Sequence, residues 1–124
     1  MRRTVDVGNS PHSLVVAPDG GEIAVANYGA GTVSVVAATS DSVVRSFPVG
    51  RTPLSLAYSA DGKYLYVGNE EDDKISIIDA HSGQVTSSVP VGTSPRFVLL
   101  APDGVHLVVS SSVAGQLAVL RTTR

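Results

Sequence analysis

The sequence of 124 residues predicts an all-β protein made of three consecutive four-stranded antiparallel meanders of 42 residues each. Three observations lead to this prediction. One repeat spacing runs through the whole chain, its apolar runs have the periodicity of strands, and a glycine turn recurs at the same place in every repeat. No run has the periodicity of a helix.

The repeat is most visible in three prolines. Pro11, Pro53 and Pro95 stand 42 residues apart, and no insertion or deletion interrupts the register. A match at one position carries little weight, but six columns that share one offset define a true repeat. The other five columns begin at Val7, Gly8, Asp19, Gly20 and Val25.

Short runs rich in Val, Ile, Leu and Tyr alternate with Gly, Pro, Asp and Asn, which is the pattern of strands and turns. The first repeat predicts strands at His12–Ala17, Glu22–Asn27, Thr32–Ala37 and Ser42–Val49. The second predicts strands at Leu54–Tyr58, Lys63–Asn69, Lys74–Asp79 and Gln84–Val91. The third predicts strands at Arg96–Leu100, Val105–Ser110 and Gln116–Arg121, and no fourth.

The Asp-Gly pairs at 19–20, 61–62 and 103–104 predict tight turns between the first and second strands. Glycine accepts a positive φ without steric cost, and aspartate bonds neighbouring amides. A four-stranded meander every ~40–45 residues is the blade of a β-propeller, in which the first strand lines the central channel. The loops that lead into the first strands and those between second and third strands then share one face, the channel-mouth face. The Asp-Gly turns lie on the opposite face, the turn face.

Composition excludes several classes of protein. A net charge of -2 and a pI of about 5.8 argue against a nucleic-acid binder, which needs a dense Lys/Arg face. With no cysteine, the chain has no disulfide, thiolate metal site or cysteine nucleophile. Arg2-Arg3 is not followed by an apolar run, so we predict neither a signal peptide nor a membrane span, and the compartment stays open.

With those residues placed, the chain resembles the YVTN family of β-propeller repeat proteins over its whole length. The family's Val-Gly-x-x-Pro segment stands here as Val49-Gly50-Arg51-Thr52-Pro53, and its Ala-Pro-Asp-Gly turn as Ala17-Pro18-Asp19-Gly20. Its Tyr-Val-x-Asn strand stands as Tyr66-Val67-Gly68-Asn69, and its third strand as Ile75-Ser76-Ile77-Ile78-Asp79.

The resemblance implies a propeller fold but no single activity, because the family's relatives include surface-layer proteins, lactonase-like propellers and haem-binding propellers. Two features depart from the family. Ser111 stands where the first two repeats have Asn27 and Asn69. Family members also carry about seven blades in one chain, within the usual propeller range, whereas this chain carries three.

The candidate ligand-binding residues lie at the mouth of the predicted channel. His12, Leu54 and Arg96 are equivalent positions directly after the repeated proline, and Arg51 lies in the loop before Leu54. Propellers hold small ligands at the channel mouth, so His12 and Arg96 predict an anion-binding pair. The preferred interpretation is nevertheless that both occupy a solvated junction between loop and strand.

Four consecutive carboxylates, Glu70, Glu71, Asp72 and Asp73, lie on the same face and are weak candidates for a hard cation such as Ca²⁺. They lack the alternating ligand spacing and the glycine of a dedicated calcium loop, so a solvated acidic loop is the preferred interpretation. His81 and His106 have no partner at metal-ligand spacing, and we predict them to be surface residues. We predict no cofactor and no catalytic residue, because no hydrolase, phosphate-loop or metalloprotease motif occurs.

Three functional hypotheses remain. The first is a non-enzymatic scaffold, assembled from three-blade subunits, that presents a loop face to a small molecule, a glycan or a protein. The second is a lactonase-like hydrolase with His12 and Arg96 near its substrate. The third is an excised or engineered fragment of a longer propeller with no function of its own.

The sequence also predicts how the blades would close into a ring. Three blades are fewer than the four to eight of closed propellers, and neither terminal repeat has a polar face that would cap it. Arg2–Val7 aligns with the outer strands at Val44–Val49 and Thr86–Val91, so we expect residues 1–7 to complete the last blade of another copy by pairing with Gln116–Arg121. The single repeat domain, 1–124, then consists of this strand and blades at 12–49, 54–91 and 96–121, and two copies form a six-bladed homodimeric ring.

Overall fold

In a computed structural model of the chain, the structure describes residues 4–40, 42–111 and 115–122. These residues form eleven strands, in agreement with the predicted all-β class. Within this part of the chain, no helix is long or apolar enough to cross a bilayer. The strands are β1 Pro11–Val16, β2 Glu22–Asn27, β3 Thr32–Ala37, β4 Ser42–Pro48, β5 Pro53–Tyr58, β6 Tyr64–Asn69, β7 Lys74–Asp79, β8 Val85–Pro90, β9 Pro95–Leu100, β10 His106–Ser111 and β11 Gln116–Arg121.

The strands form three antiparallel sheets, each of them a meander of consecutive strands. The first sheet has the order β1-β2-β3-β4 and the second β5-β6-β7-β8, while the third has β9-β10-β11 among the described residues. We refer to these sheets as blades one, two and three. The strand order confirms the predicted meanders, and the third blade has the three strands that its own repeat predicts.

Several strand bounds differ from the sequence prediction by one residue, and one predicted loop contains a short turn. Each first strand begins one residue earlier than predicted, at the repeated proline, because a proline at the first position of a strand still offers its carbonyl. Glu70–Asp72 forms a single 3₁₀ turn rather than an irregular loop, and the turn ends at Asp73, which has φ 56°. A turn of three residues is too short to leave a helical period in the sequence.

The apolar core lies between the blades. One cluster joins Val33 and Val35 of blade one to Leu56 and Tyr58 of blade two. A second cluster joins Ile75 of blade two to Val98, Leu107 and Val109 of blade three. Each sheet is therefore covered by its neighbour, and packing between faces stabilises the stack of blades.

The predicted Asp-Gly turns are present in all three blades. Gly20, Gly62 and Gly104 have φ of 76°, 77° and 72°, which confirms that glycine is required there. In each turn the aspartate Oδ1 accepts a hydrogen bond from the amide two residues later, at 2.8, 3.0 and 2.8 Å. These local bonds fix the turn without help from the rest of the fold.

We expect one of these turns to make stability depend on pH. The backbone N–H of Val105 and then the side chain of His106, whose Nδ1 lies 2.6 Å from Oδ2, lower the pKa of Asp103 to about 2. Because the pKa of Asp103 is lower in the folded state, the ionised Asp103 stabilises the fold above the unfolded pKa of about 4. This stabilisation is lost as pH falls toward 2. The fall in the urea midpoint between pH 6 and pH 2 should therefore be smaller in Asp103→Asn, which keeps the Oδ1 acceptor but cannot titrate, although Asp61 and Asp79 still contribute to the pH dependence. An unchanged pH dependence would contradict this assignment.

Candidate functional site

The structure gives the predicted channel-mouth residues His12 and Arg96 separate partners in the single chain. His12 Nδ1 donates to the carbonyl of Leu54 at 3.2 Å, and the His12 ring lies 6.0 Å from that of Tyr28. Arg96 Nη1 lies 3.7 Å from Glu70 Oε2. Leu54 itself is buried, with 4% of its surface exposed. The polar groups of two predicted binding residues, His12 and Arg96, thus contact other parts of the same face.

The acidic run is also engaged with neighbouring loops. Arg51 Nη2 donates to Glu71 Oε1 at 2.7 Å, and the backbone N–H of Arg51 donates to Asp72 Oδ2 at 2.9 Å. The N–H of Ser94 donates to Asp73 Oδ1 at 2.9 Å. Together with the pair between Glu70 and Arg96, these contacts give every one of the four carboxylates a cationic or amide partner.

These contacts tie the 3₁₀ turn to the loops that begin blades two and three. Arg51 and Glu71 are largely exposed, so their ion pair contributes little to stability by itself. Among the described residues, no group of three or more His, Asp or Glu side chains has the arrangement of a metal site. The best description of Arg51, Arg96 and the acidic run is a latch between loops, which sequence reasoning missed because its members come from different repeats.

Two asparagines at equivalent positions of the first two repeats lie in the interior. Asn27 and Asn69 are both 0% exposed. Their Nδ2 groups donate to the hydroxyls of Ser34 at 2.9 Å and Ser76 at 2.7 Å, on the neighbouring strand. Those hydroxyls in turn donate to the carbonyls of Val7 and Val49, at 3.1 and 3.5 Å. The chain just before blade one and just before blade two is thus held by the same asparagine-serine pair.

The third repeat replaces this pair as a unit. Ser111 stands at the asparagine position and Ala118 at the serine position. The shorter Ser111 hydroxyl donates directly to the carbonyl of Thr93. The replacement leaves space, since a Cβ on Gly92 would meet nothing within 4 Å, whereas one on Gly50 would lie 2.8 Å from Asn69 Cγ. The repeated glycine is therefore required by packing only where an asparagine lies beneath it.

The two ends of the stack expose surfaces that are buried at the internal junctions. Leu14 is 65% exposed, while its equivalents Leu56 and Val98 are 4% and 6% exposed. Leu117 is 68% exposed, while its equivalent Ile75 is 1% exposed. We call Leu14 and Val16 the first end face; the last end face consists of Phe97, Leu99, Leu117 and Val119. Contiguous exposed apolar residues of this kind are typical of an interaction surface.

A polar cleft of about 400 Å³ lies between blades one and two on the turn face. It contains Asp19 and Glu22 of blade one and Tyr58, Asp61 and His81 of blade two. Sequence reasoning placed His81 alone on the surface and expected any ligand at the channel mouth. It missed the cleft because the lining residues are distant in the chain, and Asp19 and Asp61 were interpreted only as turn residues.

The fold now defines the class of protein. Three consecutive antiparallel meanders that stack face to face, with the core between them, are the blades of a β-propeller. The profile of the YNCE-like beta-propeller family matches residues 1–105. The chain therefore belongs to that family.

Solved structures agree with this assignment. Hydrazine synthase of Kuenenia stuttgartiensis is 27% identical and superposes with a TM-score of 0.87 over 98% of this chain and 35% of its own. A candidate 6-phosphogluconolactonase of Bacteroides uniformis is 20% identical, with a TM-score of 0.82 over 94% of this chain and 37% of its own. The β-propeller domain of Myceliophteria thermophila Cps50 (Swd1) is 18% identical, with a TM-score of 0.79 over 94% of this chain and 37% of its own.

The chain thus spans about a third of the length of these structures, with shares of 35% and 37%. Among curated proteins, no significant relative of the chain was found. The two less similar structures support the fold alone.

Proposed function

We propose that the chain is a non-enzymatic β-propeller subunit of the YVTN type, and that two copies join head to tail into one six-bladed ring. The observation that carries the proposal is the pair of exposed end faces. Leu117 and Val119 occupy the positions at which Val33 and Val35 pack on Leu56 and Tyr58. Leu14 and Val16 are the equivalents of that leucine and tyrosine, so the last end face of one copy fits the first end face of another.

The segment before blade one supports the same arrangement. The carbonyl of Val7 accepts the hydroxyl of Ser34 as that of Val49 accepts Ser76, and Val49 directly follows the outer strand β4. The chain at Val7 thus has the position of a chain leaving the outer strand of a preceding blade. Residues 4–7 form no strand in the single chain, and residues 1–3 lie outside the described residues. In the ring, residues 2–7 pair with β11 of the other copy and give its last blade a fourth strand.

Head-to-tail closure leaves neither end face exposed. Two copies give six blades, within the four to eight of closed propellers, while three copies would give nine. The ring brings the channel-mouth loops of both copies into one face, on which His12, Leu54, Arg51 and Arg96 recur in each copy. This face is the surface presented to a small molecule, a glycan or a protein, and assembly needs no cofactor.

Light scattering after size-exclusion chromatography tests the assembly. Two chains of 12.7 kDa give about 25 kDa, and this mass should persist on dilution through the micromolar range if the apolar junctions resemble those inside the chain. A variant that lacks residues 1–6 should dissociate at a higher concentration, because the last blade of each copy loses its fourth strand. A folded monomer, or a trimer, at every concentration would contradict the proposal.

A further inference from the structure

An apolar crevice of about 190 Å³ lies between blades two and three. Ile77 and Val89 of blade two form one wall, and Leu107 and Leu120 of blade three form the other. Ile77, Val89 and Leu120 are only partly buried, so the crevice is accessible from solvent. Because it lies between the faces of two blades of one chain, it does not depend on the proposed ring.

The equivalent space between blades one and two is packed with side chains. Every apolar residue that lines the crevice has its counterpart, 42 positions earlier, in the buried cluster of that first junction. Leu65 and Ile78, the counterparts of Leu107 and Leu120, are both 0% exposed. The two junctions therefore have walls of the same kind, and one of them is filled while the other is open.

The group that fills the first junction is the ring of Phe47. It packs against blade two so closely that a Cβ on Gly83 would lie 2.6 Å from Phe47 Cδ1. At the second junction this position holds Val89, which has no ring, and larger wall residues such as Tyr66 in place of Ala24 do not close the space. An apolar cavity of about 150 Å³ takes up benzene, so the crevice has room for one aromatic ring.

The rim of the crevice carries a positive charge. Arg121 lines the crevice, whereas its counterpart at the first junction is Asp79. Arg121 forms no ion pair with any residue that the structure describes. Thr122, the other polar residue of the lining, donates its hydroxyl to the carbonyl of Val105 at 2.8 Å. The guanidinium group is thus the part of the rim that can bind an anionic group, and it suits a carboxylate.

We propose that this crevice binds a small organic acid with one aromatic ring and a carboxylate on a short arm. The ring takes the place that Phe47 has at the first junction, and its burial between the apolar walls supplies most of the affinity. The carboxylate accepts hydrogen bonds from Arg121 at the rim and fixes the orientation of the ligand.

An NMR titration of the full chain with phenylacetate tests this, with 2-phenylethanol as the neutral analogue and acetate as the analogue without a ring. Phenylacetate should shift the amide signals of Ile77, Val89 and Leu120, and acetate should not. The alcohol should bind at the same residues but roughly two- to fivefold more weakly, the range of an exposed ion pair. Arg121→Gln should remove this difference between the two aromatic ligands.

Val89→Phe gives blade two the residue that blade one has at this position, and its ring should occupy the crevice and abolish binding. Val89→Leu, a smaller enlargement, should weaken binding without abolishing it. Val44→Phe is the matched control: Val44 is 45% exposed on the outer strand of blade one, so the same exchange there should leave the affinity unchanged. The amide spectrum of each variant shows whether it is folded.

Three results would overturn the proposal. The first is the absence of any phenylacetate-dependent shift at the crevice in the folded full chain. If binding appeared only in a variant that lacks residues 1–6, the occupant would be the N-terminal segment of the chain itself. The second is undiminished binding in folded Val89→Phe and Val89→Leu, which would place the ligand elsewhere. The third is an equal loss of affinity in Val44→Phe and Val89→Phe, which would show that the effect is not specific to the crevice.

Discussion

Replacing Leu117 by lysine is expected to convert the proposed dimer of about 25 kDa into a folded monomer of 12.7 kDa. Leu117 is 68% exposed in the single chain, and burying a leucine side chain contributes about 1.5–3 kcal/mol. A lysine there adds a charge without a partner, which costs still more when buried. Because a two-copy ring contains the junction twice, the dissociation constant should rise by at least roughly a hundredfold.

The mass is read by light scattering, and circular dichroism reports whether the variant remains folded. Val85→Lys serves as the control: Val85 is 43% exposed on the outer strand of blade two, away from both end faces, so its replacement should not change the mass. Leu14→Glu combined with Leu117→Lys places opposite charges across each junction and should restore part of the affinity. Equal dissociation in the Val85 variant would show that the effect is not specific to the end faces.

Gly50→Ala is expected to lower the free energy of unfolding by about 1–3 kcal/mol, the cost of forcing an extra methyl group into a packed site. The new Cβ would lie 2.8 Å from both Cγ and Oδ1 of Asn69, which is fully buried and cannot turn toward solvent. Its shift would also stretch the bond to Ser76, now 2.7 Å. Urea denaturation gives the free energy from the midpoint and slope.

The third repeat supplies the control for this prediction. Asn69→Ser with Ser76→Ala gives blade two the residues that blade three has at Ser111 and Ala118. In that background Gly50→Ala should cost less, and only the contact with Asp72 Oδ2 at 3.0 Å should remain. Ser76→Ala alone should be more destabilising than the double change, because it leaves the Asn69 Nδ2 buried without its closest partner. An equal cost of Gly50→Ala in both backgrounds would contradict the packing explanation.

Local and periodic features could be predicted from the sequence. The strands follow from alternating apolar residues, and the Asp19-Gly20 turn follows from a bond within the turn itself, 2.8 Å between Gly21 N and Asp19 Oδ1. Such features depend on neighbours in the chain, which the sequence states directly. The register of the repeats could be predicted for the same reason, because a pattern that forms one blade forms the next blade at the same spacing.

The role of single polar residues could not be predicted in this way. Arg51 and Arg96 carry the same charge in any conformation, and only the fold shows that they pair with Glu71 and Glu70 at 2.7 and 3.7 Å. Asn69 fits the family motif in the sequence, yet its partner Ser76 lies across a strand pair. Electrostatic and hydrogen-bonding partners depend on which loops meet in space, and loop lengths alone do not determine that.

The sequence by itself determined that this chain is a set of three blades, because each blade is specified by a repeating pattern within 42 residues. Tertiary structure alone decided which surfaces those blades leave uncovered and where a cleft opens. Leu14 and Leu56 occupy equivalent positions, but one is 65% and the other 4% exposed, since blade one packs over Leu56 and no blade that the structure describes packs over Leu14. Tyr58 and Asp19 line one cleft although 39 positions separate them, because packing between blades, rather than order along the chain, sets their distance.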